Sequence, residues 1–185
     1  MAPRFLYFDL GKVLLDFDVR RMYRQVSEVA GIEPDRVREA LSAAGLQRDH
    51  ELGRVSARDF CEAFCEATGV RADHDALIHA ASDIFEINAP IIPLVGHLRL
   101  AGYRMGVLSN TCQSHWEHCL RRFRILGEYF PIHALSYEIH AMKPDAAIFE
   151  AAAELAGVPA DEIFFTDDIN EHVAGARAAG FDAVQ

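Results

Sequence analysis

The chain has 185 residues, 51% of them hydrophobic and 25% charged, which suits one soluble globular domain or one domain carrying a modest insertion. Its net charge of −10 opposes non-specific binding to nucleic acid or to an anionic membrane, and no apolar stretch approaches membrane-spanning length. The N-terminus is strand-like without a signal-peptide pattern, so a cytoplasmic protein is expected. An anionic substrate stays compatible with this charge, because lysines, a metal and backbone N–H groups can act locally.

Residues 4–9 read as the first strand. Phe5 to Phe8 form an apolar, aromatic run of the kind found in a fully buried strand, and the run ends abruptly at Asp9. A carboxylate there is costly unless a metal, a cation or a substrate uses it; the plain alternative is a turn residue. Gly11 then lets the backbone turn.

Residues 19–30 carry an amphipathic helical pattern closed by Gly31, and Glu33-Pro34-Asp35 opens a second helix reaching about Ala44. Ser56 caps a third helix that runs to Ala67 and stops at Gly69. Asp73 or Asp75 opens a fourth, ending near Ile87. Residues 16–88 are thus expected to be a helical insertion without strands, enough for a small antiparallel bundle.

The pattern then alternates. A helix over 91–100 precedes a strand over 103–108, a helix over 113–123 precedes a strand over 132–136, and a helix over 145–156 precedes a strand over 163–166. A helix over 171–179 and a strand over 181–184 close the chain. Such alternation predicts an α/β fold with a Rossmann-like, mainly parallel sheet of about five strands. Residues 1–15 and 89–185 would form this core, and 16–88 a small helical cap inserted after the first strand.

Three further stretches follow predicted strands: Ser109-Asn110-Thr111, Lys143-Pro144 and Asp167-Asp168. In an open parallel sheet the carboxyl ends of the strands form the ligand edge. Ser109 offers a hydroxyl and nearby N–H groups for phosphate oxygens, or an ordinary cap. Asn110 serves either a substrate or its own loop. Lys143 is held extended by Pro144 and either neutralises an anion or is a plain surface lysine. The Asp pair is either a metal site or a turn. Cys61 and Cys65 stand one helical turn apart, a packing pattern. Cys112 and Cys119 flank His115 and His118, but this spacing matches no strong zinc pattern, and the two histidines are expected on a helix surface.

With Asp-Leu-Gly-Lys-Val at 9–13, these stretches resemble the four motifs of the haloacid dehalogenase superfamily in order and spacing. The segment from His50 to Phe60 resembles the cap of its Asp-Leu-Gly branch, which contains glucose-1-phosphatase-like proteins. The resemblance implies a sheet with the first strand between the second and fourth, bringing Asp9 beside Asp167 and Asp168. Three clustered carboxylates repel, and a hard divalent cation relieves this. It implies Mg²⁺ held by Asp9, Asp168 and the Gly11 carbonyl, with Asp167 acting through water. Asp9 would be the nucleophile that forms an aspartyl-phosphate, Lys143 would stabilise charge, and Ser109, Asn110 and Lys143 would hold the phosphate.

One position departs from the pattern. Most of the resembling phosphatases carry a second Asp two residues after the nucleophile, as acid and base. Gly11 cannot transfer a proton, and such help is worth roughly 10²–10⁴-fold. The expected activity is therefore a Mg²⁺-dependent phosphatase of small phosphorylated metabolites, with sugar 1-phosphates favoured for their better leaving group. A metal-independent 2-haloacid dehalogenase and a catalytically impaired binding or regulatory protein are the alternatives. Lys12 is unusual at its position and is expected to point to solvent. Cap side chains are expected to select the substrate, but the sequence does not place cap positions such as Asp18, Glu51 and Arg54 relative to the site, and oligomeric state is not legible. Resembling proteins continue with a further helix after the last strand, which implies continuation past Gln185.

Overall fold

The computed structural model describes residues 2–42 and 45–185. Strand β1 (Phe5–Phe8) is buried at every position and lies at the centre of a five-stranded sheet. It pairs in parallel with β4 (Arg104–Ser109) on one side and β6 (Ile163–Thr166) on the other. The outer strands are β5 (Ile132–Leu135), beside β4, and β7 (Asp182–Val184), beside β6, both parallel. A strand buried on both faces needs apolar side chains throughout, which explains the unbroken Phe-Leu-Tyr-Phe run.

Successive residues serve opposite faces. Leu6 and Phe8 pack with Val107, Trp116, Leu126 and Phe130, under helices α6 (Ile92–Leu100), α7 (Gln113–Arg122) and α8 (Arg124–Tyr129). Phe5 and Tyr7 pack with Leu108, Phe149 and Phe165 under α10 (Ala146–Ala156) and α11 (Asn170–Ala178). The Tyr7 hydroxyl donates to the Ala152 carbonyl (2.9 Å), so the one polar side-chain atom of this inner strand is satisfied. The short α9 (Ser136–Ile139) follows β5 directly.

The insertion differs from a strandless helical bundle. It is entered and left through a two-stranded antiparallel ribbon, β2 (Leu15–Phe17) against β3 (Phe85–Ile87). Between these strands lie α1 (Val19–Ala30), α2 (Pro34–Leu41), α3 (Leu46–Glu51), α4 (Ala57–Thr68) and α5 (His74–Ser82). Val26, Val37, Phe64, Leu77 and Ala80 form their shared core. The expected second helix was read as far as Ala44; residues 43 and 44 lie outside those described. The helix read to Ile87 ends at Ser82, where β3 soon begins. Three-residue strands and the six-residue α3 are too short to show a period, which is why the sequence pattern passed over them. Among the described residues, no helix is long and apolar enough to cross a membrane.

Candidate active site

Parallel pairing aligns the carboxyl ends of β1, β4 and β6, and the residues just past them form one cluster. Asp9 is tied to the neighbouring strand by its N–H, which donates to the Thr166 carbonyl (3.0 Å), and its Oδ1 accepts from the Leu10 N–H (2.7 Å). Asp167 follows β6 by one residue and is fully buried, while Asp168 is exposed. Carboxylate oxygens of Asp9, Asp167 and Asp168 lie within 4.8 Å of one another. Among the described residues this is the one group of three or more metal-ligating side chains so placed.

Lys143 enters the cluster from the loop after α9. Its buried ammonium donates to Asp9 Oδ1 (2.9 Å), to Asp167 Oδ2 (2.5 Å) and to the Leu108 carbonyl (3.0 Å). An ammonium has three protons, so all are engaged. The Asn110 carboxamide grips the Lys143 main chain from both sides, donating to its carbonyl (3.0 Å) and accepting its N–H (2.8 Å). The Lys143–Pro144 peptide is cis.

Three carboxylates against one ammonium leave two negative charges in this corner. Burial pushes the Asp9 carboxyl up, against the pull of Lys143 and the Ser109 hydroxyl, and Asp167 pushes the same way as burial. Burial would raise Asp167 too, but His172, Lys143 and the Ile169 N–H outweigh it and hold that carboxyl below its ordinary value. The Ile169 N–H donates to Asp167 Oδ1 (2.8 Å), and His172 Nδ1 lies 3.1 Å from both of its oxygens. An oxygen-only donor set with a surplus of two negative charges fits a hard divalent cation. Asp167 has both oxygens engaged by the protein, which leaves Asp9 and Asp168 as the freer ligands.

Above the cluster lies a cavity of about 200 Å³ between the sheet edge and the inserted helices. Gly11, Ser109, Asn110 and Thr111 line it from below, and Tyr23 and Glu51 from the insertion. A Cβ on Gly11 would come within 2.9 Å of the Phe17 ring, so that ring occupies the space a side chain at position 11 would need. Lys12 turns away, half-exposed over the Phe17 ring, with its ammonium 3.1 Å from the Phe17 carbonyl.

The three cap positions separate. Asp18 caps α1 and accepts from the Arg20 and Arg21 N–H groups. Arg54 is exposed and pairs with Asp49 (3.1 Å). Glu51 alone lines the cavity. The histidines expected on a helix surface are not on one: His115 is half-buried in the cavity wall, and His118 is buried with its Nε2 3.6 Å from Asp83. They do not converge on a common metal site with Cys112 and Cys119, and burial drives the Cys119 thiol up to about 12.

Two contributors carried no motif. His172 lies in the first turn of α11, five residues after Asp167. Ser136 is the first residue past β5 and is fully buried. Its hydroxyl accepts the Thr111 N–H (2.9 Å) and faces the carbonyls of Glu51 (2.7 Å) and Thr111 (3.0 Å). The usable signal was position, since a serine directly after a buried strand stands at the same sheet edge as Ser109.

The chain matches the haloacid dehalogenase-like hydrolase family over residues 6–180. It is 29% identical to a phosphatase of Mycobacterium tuberculosis over 99% of this chain and 87% of that protein. It is 32% identical to the glyceraldehyde 3-phosphate phosphatase of Methanopyrus kandleri over 51% of this chain and 41% of that one. A HAD family enzyme of Bacteroides thetaiotaomicron, solved in complex with magnesium and inorganic phosphate, superposes with a TM-score of 0.87. That similarity runs at 26% identity over all of this chain and 94% of the other.

Proposed function

The chain belongs to the haloacid dehalogenase-like hydrolases, and from that premise we propose a Mg²⁺-dependent phosphatase of small phosphorylated metabolites that works through an aspartyl-phosphate on Asp9. The observation that carries this reading is the Asp9, Asp167, Asp168 cluster with Lys143 bound into it. The phosphatase relative and the magnesium and phosphate complex of the structural relative support it.

Asp9, Asp168 and the Gly11 carbonyl would hold the cation, with Asp167 behind it. Bound there, Mg²⁺ offsets the carboxylate repulsion and draws charge from the transferring phosphoryl group. The chain's own residues do the rest. Lys143 favours the ionised form of Asp9 against the opposing push of burial and fixes its direction. Asp9 Oδ attacks phosphorus as the ester P–O bond breaks, and water then cleaves the acyl phosphate. Asn110 sets the Lys143 loop, and the Ser109 hydroxyl beside Asp9 is placed for a phosphate oxygen.

Sugar 1-phosphates are the favoured substrates. Among the described residues, the sheet-edge wall of the cavity carries no acidic side chain, because Gly11 has none and Lys143 is fully engaged. An anomeric oxygen leaves more easily than a primary alkoxide. The cavity also presents Ser42, Gln47 and Tyr23 as partners for sugar hydroxyls beside the apolar Met22 and Phe17. The test is phosphate release from a metabolite panel with Mg²⁺ and with a chelator. The reading expects Mg²⁺-dependent release, highest on hexose 1-phosphates. Chelator-insensitive turnover, or none on any phosphate ester, would refute it.

A further inference from the structure

Cleaving a phosphate ester leaves the electron pair of the P–O bond on the departing oxygen, which must gain a proton. Among the described residues, none of those lining the cavity from the sheet edge supplies one. The Phe17 ring fills the space beside Gly11, and Ser109, Asn110 and Thr111 carry no acidic group. Among the residues lining the cavity, only Tyr23, Glu51 and His115 have ionisable side chains.

Glu51 differs from Tyr23 in how it is held. It ends α3 of the insertion, yet its main chain is fastened to the core. Its carbonyl meets the Ser136 hydroxyl at 2.7 Å, the same hydroxyl that holds Thr111 in the Ser109-Asn110-Thr111 loop. The next carbonyl, of Leu52, accepts from His140 Nδ1 (2.8 Å). Gly53 then passes so close to the Tyr137 carbonyl that a Cβ would overlap it. One buried serine thus fixes Glu51 relative to the loop beside Asp9. The Gln47 amide donates to Glu51 Oε1 (3.0 Å), which leaves Oε2 as the oxygen free to carry a proton. Burial raises the Glu51 carboxyl above its ordinary value, in the direction an acid needs. His115 stands in the same cavity wall.

We infer that Glu51, carried on the insertion and clamped to the core through Ser136, is the proton donor to the leaving oxygen. The inference rests on the phosphatase reading above. In the first step Asp9 Oδ bonds to phosphorus, the ester P–O bond breaks with its electron pair kept by oxygen, and that oxygen takes the Glu51 proton. In the second, the Glu51 carboxylate takes a proton from the attacking water as the acyl phosphate is cleaved, which restores both groups. The donor serves every leaving group, and a less basic anomeric oxygen depends on it less than a primary alkoxide does.

The experiment compares kcat/KM of the wild type and Glu51→Gln on 4-nitrophenyl phosphate, a hexose 1-phosphate and the matching hexose 6-phosphate, with saturating Mg²⁺. Loss in the variant should grow with leaving-group basicity, reaching about 10²-fold or more on the 6-phosphate and raising the 1-phosphate to 6-phosphate ratio. Melting curves report whether Glu51→Gln stays folded, and Arg54→Gln, an exposed neighbour outside the cavity, should match the wild type on all three. Equal loss on all substrates would make Glu51 a binding or structural group and overturn the inference while leaving the phosphatase reading in place, as would no loss. A wild type inactive on all three would overturn both.

Discussion

Lys143 places a single positive charge between two buried carboxylates and gives every proton to the protein. Its removal should therefore affect folding as well as chemistry. Lys143→Met leaves Asp9 and Asp167 buried without their cation and should destabilise the protein by about 3–5 kcal/mol, read from urea unfolding without metal. Mg²⁺ should recover part of that loss, and a variant as stable as the wild type would show that the pair is not strained toward a cation. Asp9→Asn acts the other way. It removes one of three clustered charges while Lys143 stays paired with Asp167, so stability without Mg²⁺ should hold or rise as turnover falls by at least ~10³-fold. A variant that keeps near-normal turnover, with deamidation excluded, would remove Asp9 as the nucleophile. Asp9 and Asp167 were legible because each breaks a pattern, a charge at the end of an apolar strand run, whereas Lys143 was read from the proline that follows it. Asp167 was expected to act through water; in the structure the Lys143 ammonium and the Ile169 N–H engage its two oxygens. Ser136 and His172 were not legible, because a serine or a histidine near a strand end has many ordinary uses.

Element ends carry the next layer. Asp18 accepts from the Arg21 and Arg20 N–H groups at the start of α1, and the first of these bonds chiefly holds its carboxyl below the ordinary value. A depressed carboxyl gives stability that is present above its unfolded value and is lost as pH falls through the folded one. Asp18→Ala should thus melt below the wild type at neutral pH, and the gap should close on acidification below about pH 4. A gap independent of pH would assign the loss to something other than the cap. Gly53 has φ +68°, a conformation glycine adopts freely, and lies against the Tyr137 carbonyl. Gly53→Ala should cost about 1–3 kcal/mol and weaken substrate turnover together with stability, because it pushes the Glu51 segment off α9. The long helices were readable from caps and glycine stops such as Ser56, Gly31 and Gly69. The ribbon of β2 and β3 and the short α3, α8 and α9 were not, since three to six residues hold less than a full period of any pattern.

At the scale of the whole molecule, the sheet order β5-β4-β1-β6-β7 gathers residues up to 159 positions apart into one corner, from Asp9 to Asp168. Alternation of strands and helices predicted the parallel sheet, but the neighbours of β1 came from the resemblance, because no periodicity states strand order. The cavity came from neither, for it forms only where the insertion packs on the sheet edge. A cluster that carries two surplus negative charges should bind Mg²⁺ in the folded state alone, so Mg²⁺ should raise the melting temperature of the wild type and raise that of Asp168→Asn much less. The proposed chemistry requires Asp9 to become phosphorylated, and the most direct test is to stop a reaction during turnover with acid and reduce it with borohydride, which converts an aspartyl-phosphate to homoserine. Peptide mass spectrometry should find homoserine at position 9, only with substrate and Mg²⁺ present; rapid turnover with position 9 always recovered as unmodified Asp, or with the modification at another residue, would contradict it.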